Sequence, residues 1–395
     1  MNYILFGDQA RKHLLPFTFT RPVADIRAGI LTIREKWEKY LDNKTSSLTE
    51  KYLSEKYPLV KAADNILINS NFLPNKTIIE EIGLLKPNQT LVHGEVIIAL
   101  RLMSEDIENI DLDVLEGVTP LETTSEVKKI SHLWDLINFN ESLIRSDFEL
   151  ITKGRKSADP GVYAKVVCKE NVFIEEGAII ENAIINASEG PVYIGKNVHV
   201  MDGAVIRGPV SVEEGTVIRI NAKIYGNTSI GPFCKIGGEV SNSIIFGYTN
   251  KAHDGFLGHS IIGEWCNLGA DTNTSNLKNN YDKVKVWDYA LGSFVDTGMQ
   301  FCGTFMGDHS KCGINTMLNT GTVVGLSAQV YGSGFIRNFI PSFTWGSPAG
   351  YSTFDVEKAI DVAKRVYARR DFEFSKVEES IFRKAFELTF NYRRF

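Results

Sequence analysis

The stretch that decides the fold is VYIGKNVHVMDGAVIRGPVSVEEGTVIRINAKIYGNTSIGPFCKIG, residues 192–237. A large aliphatic residue, isoleucine or valine, recurs here at every sixth position. The residue two places before each one is small or β-branched in every case, and glycine often follows. A period of six matches neither the 3.6 residues of a helical turn nor the simple alternation of a strand. It fits short strands joined by tight corners, with the large side chain facing inward. The aliphatic positions are Ile194, Val200, Ile206, Val212, Ile218, Ile224, Ile230 and Ile236.

The same rule returns later in the chain. Ile262 and Leu268 form a short block, and a longer block begins at Met306. Three such strands would close one coil of about 18 residues, and stacked coils would pair their backbones strand to strand. A slip of one residue would turn the aliphatic column outward, so the register is strongly fixed. The sequence therefore predicts a parallel β-helix from about Val166 to about Val330. The longer block comprises Met306, Cys312, Leu318, Val324 and Val330.

Other patterns flank the repeat. In the front part, Tyr3–Phe6 and residues 90–100 are typical of strands, while residues 25–40 and 132–144 have helical spacing. Near the C-terminus, Ser375 and Glu378 have the spacing of a helix capping box. We therefore expect an α/β domain over residues 1–155, a β-helix domain over residues 160–345 and a helical tail over residues 346–395.

Composition narrows the functional classes. The 395 residues are 43% apolar, which is enough for two compact cores. The net charge is −5 without a long basic block, so nucleic acid is not expected as the main partner. Five cysteines without close pairs favour reduced thiols and no metal site. No apolar run approaches the ~20 residues of a membrane helix, so we expect a cytoplasmic protein.

The repeat fails in one region. Stepping on by six from Ile236 meets Asn242, Tyr248 and Asp254, and the pattern stays broken from Glu239 to about Gln300. Places where a regular pattern fails tend to be functional. This segment holds two histidines, several asparagines and several lysines, so it is where we expect the chemistry.

The broken segment resembles the acetyltransferase part of the bifunctional GlmU family. The matching motifs are Lys251-Ala252-His253, Leu257-Gly258, Asn267 to Asn276 and the pair Lys283 and Lys285. The first motif is one residue shorter than in the family, Asp271 replaces a glycine, and Cys234 follows Gly231-Pro232-Phe233 where the family has an arginine. The resemblance implies a left-handed β-helix, a homotrimer and acetyl transfer from acetyl-CoA to an amino sugar phosphate such as glucosamine 1-phosphate.

The resemblance also implies roles for individual residues. His253 matches the family's general base, which is needed because a sugar amine is mostly protonated at neutral pH and an imidazole can take its proton. The remaining candidates would contact the substrates. These are Asn267 and Asn276 for the sugar or pantetheine, Lys283 and Lys285 for the phosphate, Tyr248 as a pocket wall, and Ala270 beside acetyl-CoA between subunits.

Several alternatives stay open at this point. His259 is a rival base, and His253 could be an ordinary polar corner residue. Lys283 and Lys285 alternate in KVKVW and could simply form a solvated strand face. A zinc enzyme like the β-helical carbonic anhydrases would need three histidine ligands, for which His253, His259 and His309 are candidates. A non-catalytic scaffold is the remaining possibility.

The front domain resembles sugar-1-phosphate nucleotidyltransferases. Gly7 follows the first strand, where that family has a phosphate-cradling loop, and Arg11 comes two residues early relative to Pro16-Phe17-Thr18. Val23 stands where the family has a lysine, with Arg21 just before it. If the domain is active, the resemblance implies Mg2+ as its metal, with either UTP or dTTP as the nucleotide and formation of UDP-N-acetylglucosamine as one outcome. His93-Gly94-Glu95 is the candidate for the family's metal-binding motif. The alternatives are a folded remnant without activity, or a nucleotidyltransferase that carries a purely structural β-helix.

Overall fold

The computed structural model describes residues 1–107 and 117–395. The chain divides into two compact units. The first unit comprises residues 1–14, 20–26 and 31–132, and the second comprises residues 15–19, 27–30 and 133–395.

The first unit is built on a six-stranded mixed sheet with strand order β2-β1-β3-β5-β4-β6. Strands β1 to β3 are parallel, and β3, β5 and β4 are antiparallel neighbours. Aliphatic side chains such as Ile4, Leu67 and Leu100 are fully buried in its core. The elements are β1 (Asn2–Phe6), α1 (Ile33–Leu41), β2 (Thr45–Leu48), β3 (Asp64–Asn69), α2 (Lys76–Leu84), β4 (Gln89–His93), β5 (Val96–Met103) and β6 (Thr119–Glu122).

Two sequence predictions in this unit were wrong in detail. The helix expected over residues 25–40 begins at Ile33, because Thr32 and Glu35 form a capping box that starts it there. The single strand expected over residues 90–100 is the hairpin of β4 and β5. Gly94 has a φ of 59° at its turn, a conformation that glycine adopts at little cost.

The second unit contains a parallel β-helix with three faces, as the repeat predicts. Each face is formed by short parallel strands. Consecutive strands along the chain lie on the first, second and third face in turn. The first face comprises Val172–Ile174, Val192–Ile194, Val210–Val212, Thr228–Ile230, Ile244–Ile245, Ile261–Ile262, Phe305–Met306, Val323–Val324 and Phe339–Ile340. The second comprises Ile179–Ile180, His199–Val200, Val217–Ile218, Lys235–Ile236, Asn250–Lys251, Asn267–Leu268, Lys311–Cys312, Gln329–Val330, Thr344–Ser347 and, antiparallel at its end, Gly350–Thr353. The third comprises the ladder Lys165–Val167, Ile184–Asn186, Val205–Arg207, Lys223–Ile224, Glu239–Ser241 and Phe256–Gly258, followed by a separate parallel pair, Asn273–Thr274 and Met317–Leu318.

The aliphatic column forms the core of the β-helix. Ile194 pairs in register with Val212, and Val212 pairs with Ile230, so each coil takes three of the predicted steps. All three side chains are fully buried. The second block of the repeat, from Met306 to Val330, lies in the same core. The predicted period and register are therefore confirmed.

The expected break after Ile236 was wrong in its position. Ile236 pairs with Lys251, whereas a coil of regular length would have placed Asp254 beside it. The coils thus become shorter here, and the inward column continues without interruption. The six-residue step leads to Asn242, Tyr248 and Asp254, and none of these lies in the core. Asn242 and Tyr248 are corner residues with φ of 48° and 62°, and Asp254 is exposed. The column instead runs through Val240, Ile245, Lys251, Leu257 and Ile262.

The actual departure from the coil stack lies between residues 275 and 303. The chain leaves after Asn273–Thr274 and returns before Phe305–Met306. Within this insertion Lys285–Asp288 and Ser293–Asp296 form an antiparallel hairpin. The Trp287 ring stacks on Phe339 of a late coil, with ring centroids 4.3 Å apart. The insertion is thus anchored on the β-helix of its own chain.

Among the described residues of the second unit, one α-helix precedes the β-helix in the sequence, and two α-helices follow it. The predicted helix at residues 132–144 extends further and covers Leu133–Thr152 (α3), where Asn140 accepts a hydrogen bond from Ser229 Oγ at 3.0 Å. The tail forms α4 (Val356–Ala368) and α5 (Lys376–Leu388). The capping box of Ser375 and Glu378 is present as predicted. Within the described ranges, none of the helices has the length and apolar character needed to cross a membrane.

Candidate functional site

His253 lies at the corner between the second and third faces. The corner joins Asn250–Lys251 to Phe256–Gly258, and the His253 side chain is exposed. One coil later Ala270 occupies the equivalent corner position, since Asp271 N–H donates to the Asp254 carbonyl oxygen at 3.0 Å. The residue predicted as base and the residue predicted beside acetyl-CoA therefore share one corner.

A pocket of about 300 Å³ lies on the second face, and we call it the cationic pocket. It brings together Tyr248 and Asn267, both of which the sequence predicted as substrate-binding residues. Four basic side chains and no carboxylate stand among the residues that line it. The lining comprises Lys235, Tyr248, Asn250, Trp265, Cys266, Asn267, Lys311, Val366, Arg369 and Arg370.

Aromatic rings form one wall of the cationic pocket. The rings of Tyr248 and Trp265 stack with centroids 4.2 Å apart and an interplanar angle of 2°. The Arg370 guanidinium lies 5.8 Å from the Tyr248 ring centroid and donates to Asn250 Oδ1 at 3.2 Å. It also donates to the Phe233 carbonyl oxygen. These contacts hold the guanidinium in a defined orientation, which suits binding of an oxyanion.

The positive charges of the cationic pocket are partly desolvated. Burial lowers the pKa of Lys311, whose ammonium makes one long hydrogen bond of 3.4 Å to the Trp265 carbonyl oxygen. Burial also lowers the pKa of Arg370. A bound anion would favour the charged form of both groups, because an opposite charge nearby offsets the cost of desolvation.

His259, the rival base, lies at the corner between the third and first faces. Its Nδ1 is 2.9 Å from the amide nitrogen of Asn276, and its ring stacks on Phe301 with centroids 5.3 Å apart. Burial lowers the pKa of His259, so the ring is neutral at pH 7. With the amide donating to Nδ1, the neutral ring carries its proton on Nε2. His259 therefore offers no free basic nitrogen in this arrangement.

The predicted phosphate ligands Lys283 and Lys285 lie on the insertion. Lys285 begins the hairpin and lines a cavity of about 1010 Å³ together with Lys278, Arg337 and residues of the last coils. The carbonyl oxygen of Lys283 accepts a hydrogen bond from Lys278 Nζ at 2.6 Å. These lysines and Asn276 come after the third-face strand Asn273–Thr274. His253 comes before the third-face strand Phe256–Gly258, one coil earlier. Among the described residues, no hydrogen bond, ion pair or ring contact joins Asn276, Lys283 or Lys285 to His253.

The three histidines required for a zinc site are distributed over different parts of the β-helix. His253 and His259 occupy two different corners, and His309 packs against Trp265 and Tyr367. Among the described residues, no group of three potential metal ligands is close enough to hold an ion. One chain by itself therefore does not build the zinc site of this alternative.

The first unit has a pocket of its own, of about 490 Å³. Gly7 and Arg11 line it, as does Glu95, whereas the buried Arg21 is not among its lining residues. Arg11 Nε is 2.7 Å from Glu50 Oε1. The loop after β1 therefore borders a cleft, and the role of Gly7 and Arg11 in nucleotide binding stays a prediction.

Sequence reasoning missed four cationic residues of the second-face pocket. Lys311 pairs with Asn267 in the second-face ladder, so a coil-by-coil register drawn through the short coils would have found it. Lys235 directly precedes the column residue Ile236, and the same register places it on this face. Arg369 and Arg370 come from the end of α4, and no periodic signal in the sequence links that helix to the pocket.

Comparison with known proteins agrees with both parts of the chain. Residues 3–156 match the family model described as sugar nucleotidyl transferase. The bifunctional protein GlmU of Methanocaldococcus jannaschii is 30% identical over 230 residues, which cover 58% of this chain and 50% of that protein. The chain is similar to GlmU proteins. This confirms the resemblance that the motifs around His253 indicated.

Two further relatives extend the comparison. GlmU of Synechococcus elongatus is 26% identical over 253 residues, covering 57% of this chain and 50% of that protein. An uncharacterized acetyltransferase of Escherichia coli, YaiX, is 28% identical over 185 residues, covering 46% of this chain and 78% of that protein. The chain spans about half the length of the GlmU relatives that it matches.

Proposed function

We propose that the second unit is an acetyl-CoA-dependent N-acetyltransferase acting on the amine of a phosphorylated amino sugar such as glucosamine 1-phosphate. The observation that carries the proposal is the adjacency of the cationic pocket and the His253 corner. Asn250 lines the pocket, and His253 follows it three positions later, just past the end of the same strand. The candidate base thus follows a lining residue of the proposed anion site by three positions along the chain.

The chemistry requires one displacement and the removal of two protons from the sugar ammonium, one of which is returned to the CoA sulfur. His253 would remove a proton from the sugar ammonium, and the freed nitrogen lone pair would attack the thioester carbonyl carbon. A backbone N–H of the same corner would stabilise the oxyanion of the tetrahedral intermediate. The C–S bond then breaks, and the CoA sulfur leaves with the proton that His253 returns. The N-acetyl group stays on the sugar, and the second proton of the attacking nitrogen passes to solvent.

The cationic pocket would bind the sugar phosphate. Arg370 is oriented by Phe233 and Asn250, and the Lys311 ammonium makes one long hydrogen bond. Both can form charge-assisted hydrogen bonds to phosphate oxygens, which are stronger than neutral ones. Asn267 offers an amide to a sugar hydroxyl or to the acetamido product.

Acetyl-CoA, the acetyl donor, would lie along the corner that His253 occupies and extend towards the C-terminal coils. Ala270 and then Ile314 occupy this corner, and Ile314 is 68% exposed. An exposed apolar strip of this kind suits a pantetheine chain. We propose that a homotrimer completes the site between subunits, so that Asn276, Lys283 and Lys285 would reach the acetyl site from a neighbouring subunit.

The first unit supports nucleotidyl transfer as a second candidate activity, because the family match and the pocket at Gly7 and Arg11 coincide. The residues present do not fit a Mg2+ site. The Asp8 carboxylate is bound by Lys129 at 2.8 Å and by Asn69 at 2.9 Å, so it is already neutralised. Within the described part of the chain no set of three metal ligands converges. We therefore derive no metal-dependent step for this unit.

The acetyltransferase proposal is tested by a free-thiol assay with acetyl-CoA and glucosamine 1-phosphate. We expect His253→Ala to lower kcat by about 10²-fold or more, as for loss of a general base. His259→Ala is the matched control and should retain most of the activity. Equal rates for the wild type and His253→Ala, or an inactive His259→Ala beside an active His253→Ala, would contradict the assignment of the base.

A further inference from the structure

Lys251 occupies a position in the β-helix that belongs to an aliphatic side chain. It pairs in register with Ile236, and Leu268 fills the same position in the next coil. Its relative exposure is 2%. Burying an ammonium group is costly unless hydrogen bonds replace its water, so this lysine needs a compensating function.

Two carbonyl oxygens accept hydrogen bonds from the Lys251 ammonium. Nζ donates to the Gly237 carbonyl oxygen at 2.9 Å and to the His253 carbonyl oxygen at 2.8 Å. Gly237 and His253 stand at the same corner of two successive coils. The buried side chain therefore ties the bend that carries His253 to the coil beneath it, from inside the core.

We infer that Lys251 is a positioning residue, which fixes the backbone of His253 for acetyl transfer; this inference rests on the function proposed above. The exposed His253 ring makes no hydrogen bond that the described residues show, so its placement depends on its backbone. Substrate and base must meet within a few tenths of an ångström, and a misplacement of about 1 Å can cost about 10²-fold in rate. A core tie beneath the bend provides this precision.

The protonation state of Lys251 makes the strength of these two hydrogen bonds depend on pH. Burial is the main cause that lowers its pKa, to about 8, and the carboxylates of Asp254 and Asp271 partly oppose this effect. The charged form, which makes the stronger hydrogen bonds, is present below pH 8 and is lost above it. We therefore expect the acetyl-transfer rate to decline above about pH 8, and this decline should be absent when Lys251 is replaced by a group that cannot titrate.

The test compares Lys251→Met, His253→Ala and the double variant in the full-length protein. Methionine can fill the aliphatic column between Ile236 and Leu268, so the thermal unfolding temperature should be maintained or raised. We expect Lys251→Met to lower kcat by about 10-fold or more while KM changes little. Because Lys251 acts through His253, adding Lys251→Met to His253→Ala should cause no further loss. Ile218→Val, in the same column two coils earlier, serves as the control for a core substitution.

A second measurement is independent of activity. Hydrogen–deuterium exchange of residues 252–256 should accelerate in Lys251→Met and remain unchanged in Ile218→Val. If the wild type acetylates no amino sugar phosphate, the proposed function fails, and this exchange measurement still decides whether Lys251 holds the bend. Unchanged exchange in Lys251→Met, a kcat within about twofold of wild type, or an equal additional loss on top of His253→Ala would each overturn the inference.

Discussion

The β-helix contains two kinds of coil, and they differ in what their cores hold. The regular coils, residues 192–236, repeat at one constant interval around a column of isoleucine and valine. In the short coils, residues 240–274, fewer residues separate the paired strands of consecutive coils, and their number varies. In the short coils Lys251 and Thr274 enter buried positions, and His253 and His259 occupy corners.

This difference separates the regular scaffold from the candidate site along one fold. Both kinds of coil keep the parallel pairing that satisfies the backbone, so the scaffold is not interrupted. The corners of the short coils carry His253 and His259, whereas corners of the regular coils carry asparagines such as Asn197, Asn221 and Asn227. The functional groups therefore stand on rigid strands and their immediate corners, where their positions are well defined.

The sharpest test of this comparison is a matched pair of core truncations. Ile218→Ala lies in a regular coil and Leu257→Ala lies in a short coil, and both side chains are fully buried. Each should lower the free energy of unfolding by about 2–5 kcal/mol, because a cavity is left in a tightly packed column. Denaturant unfolding measures this loss.

Activity should then distinguish the two variants. At a temperature where both are folded, Ile218→Ala should keep the kcat of the wild type, whereas Leu257→Ala should reduce it because Leu257 follows the His253 bend. An equal loss of kcat in both variants would show that the regular coils are not a passive scaffold.

A smaller effect is expected at the cationic pocket. Arg370→Ala removes the guanidinium that Asn250 and Phe233 orient. We expect KM for the phosphorylated amino sugar to rise by about 10-fold, equivalent to about 1.4 kcal/mol of lost binding, with kcat little changed. Arg365→Ala, on the exposed side of α4, is the matched control. If Arg370→Ala leaves KM unchanged, the phosphate binds elsewhere.

The smallest effect is the pH dependence of stability from His259. Burial lowers its pKa below the value in the unfolded chain, so the unfolded chain binds more protons at mildly acidic pH. The contribution to stability is fully present above about pH 6.5 and is lost as the pH falls below that value. His259→Gln should therefore show a flatter decline of the thermal unfolding temperature between pH 7 and pH 5. A steeper decline in the variant would contradict this assignment.

The sequence predicted the regular coils well because their period depends on one local rule. Ile194 to Ile236 needed only the spacing and the aliphatic side chains. Beyond Ile236 the rule failed, because it assumes corners of constant length. The strand at Lys251 replaces an aliphatic residue by a lysine, and a hydrophobic pattern cannot recognise a buried lysine as part of a core.

The candidate site was predictable in part for the same reason. His253 and Ala270 were found by motif resemblance and do share a corner, and Tyr248 and Asn267 do share a pocket. Their roles in catalysis and binding remain predictions. Arg370 was not predicted, because its approach to Tyr248 depends on how the tail folds back on the β-helix, and this long-range contact leaves no spacing in the sequence.

The most direct test of the central claim is a crystal structure with CoA and glucosamine 1-phosphate bound. We expect the CoA sulfur and the sugar amine to meet within about 3–4 Å at the His253 corner, with the imidazole in hydrogen-bond reach of the amine. The phosphate should lie among Lys311, Arg369 and Arg370. Ligands bound away from the short coils, with His253 facing only solvent, would contradict the account.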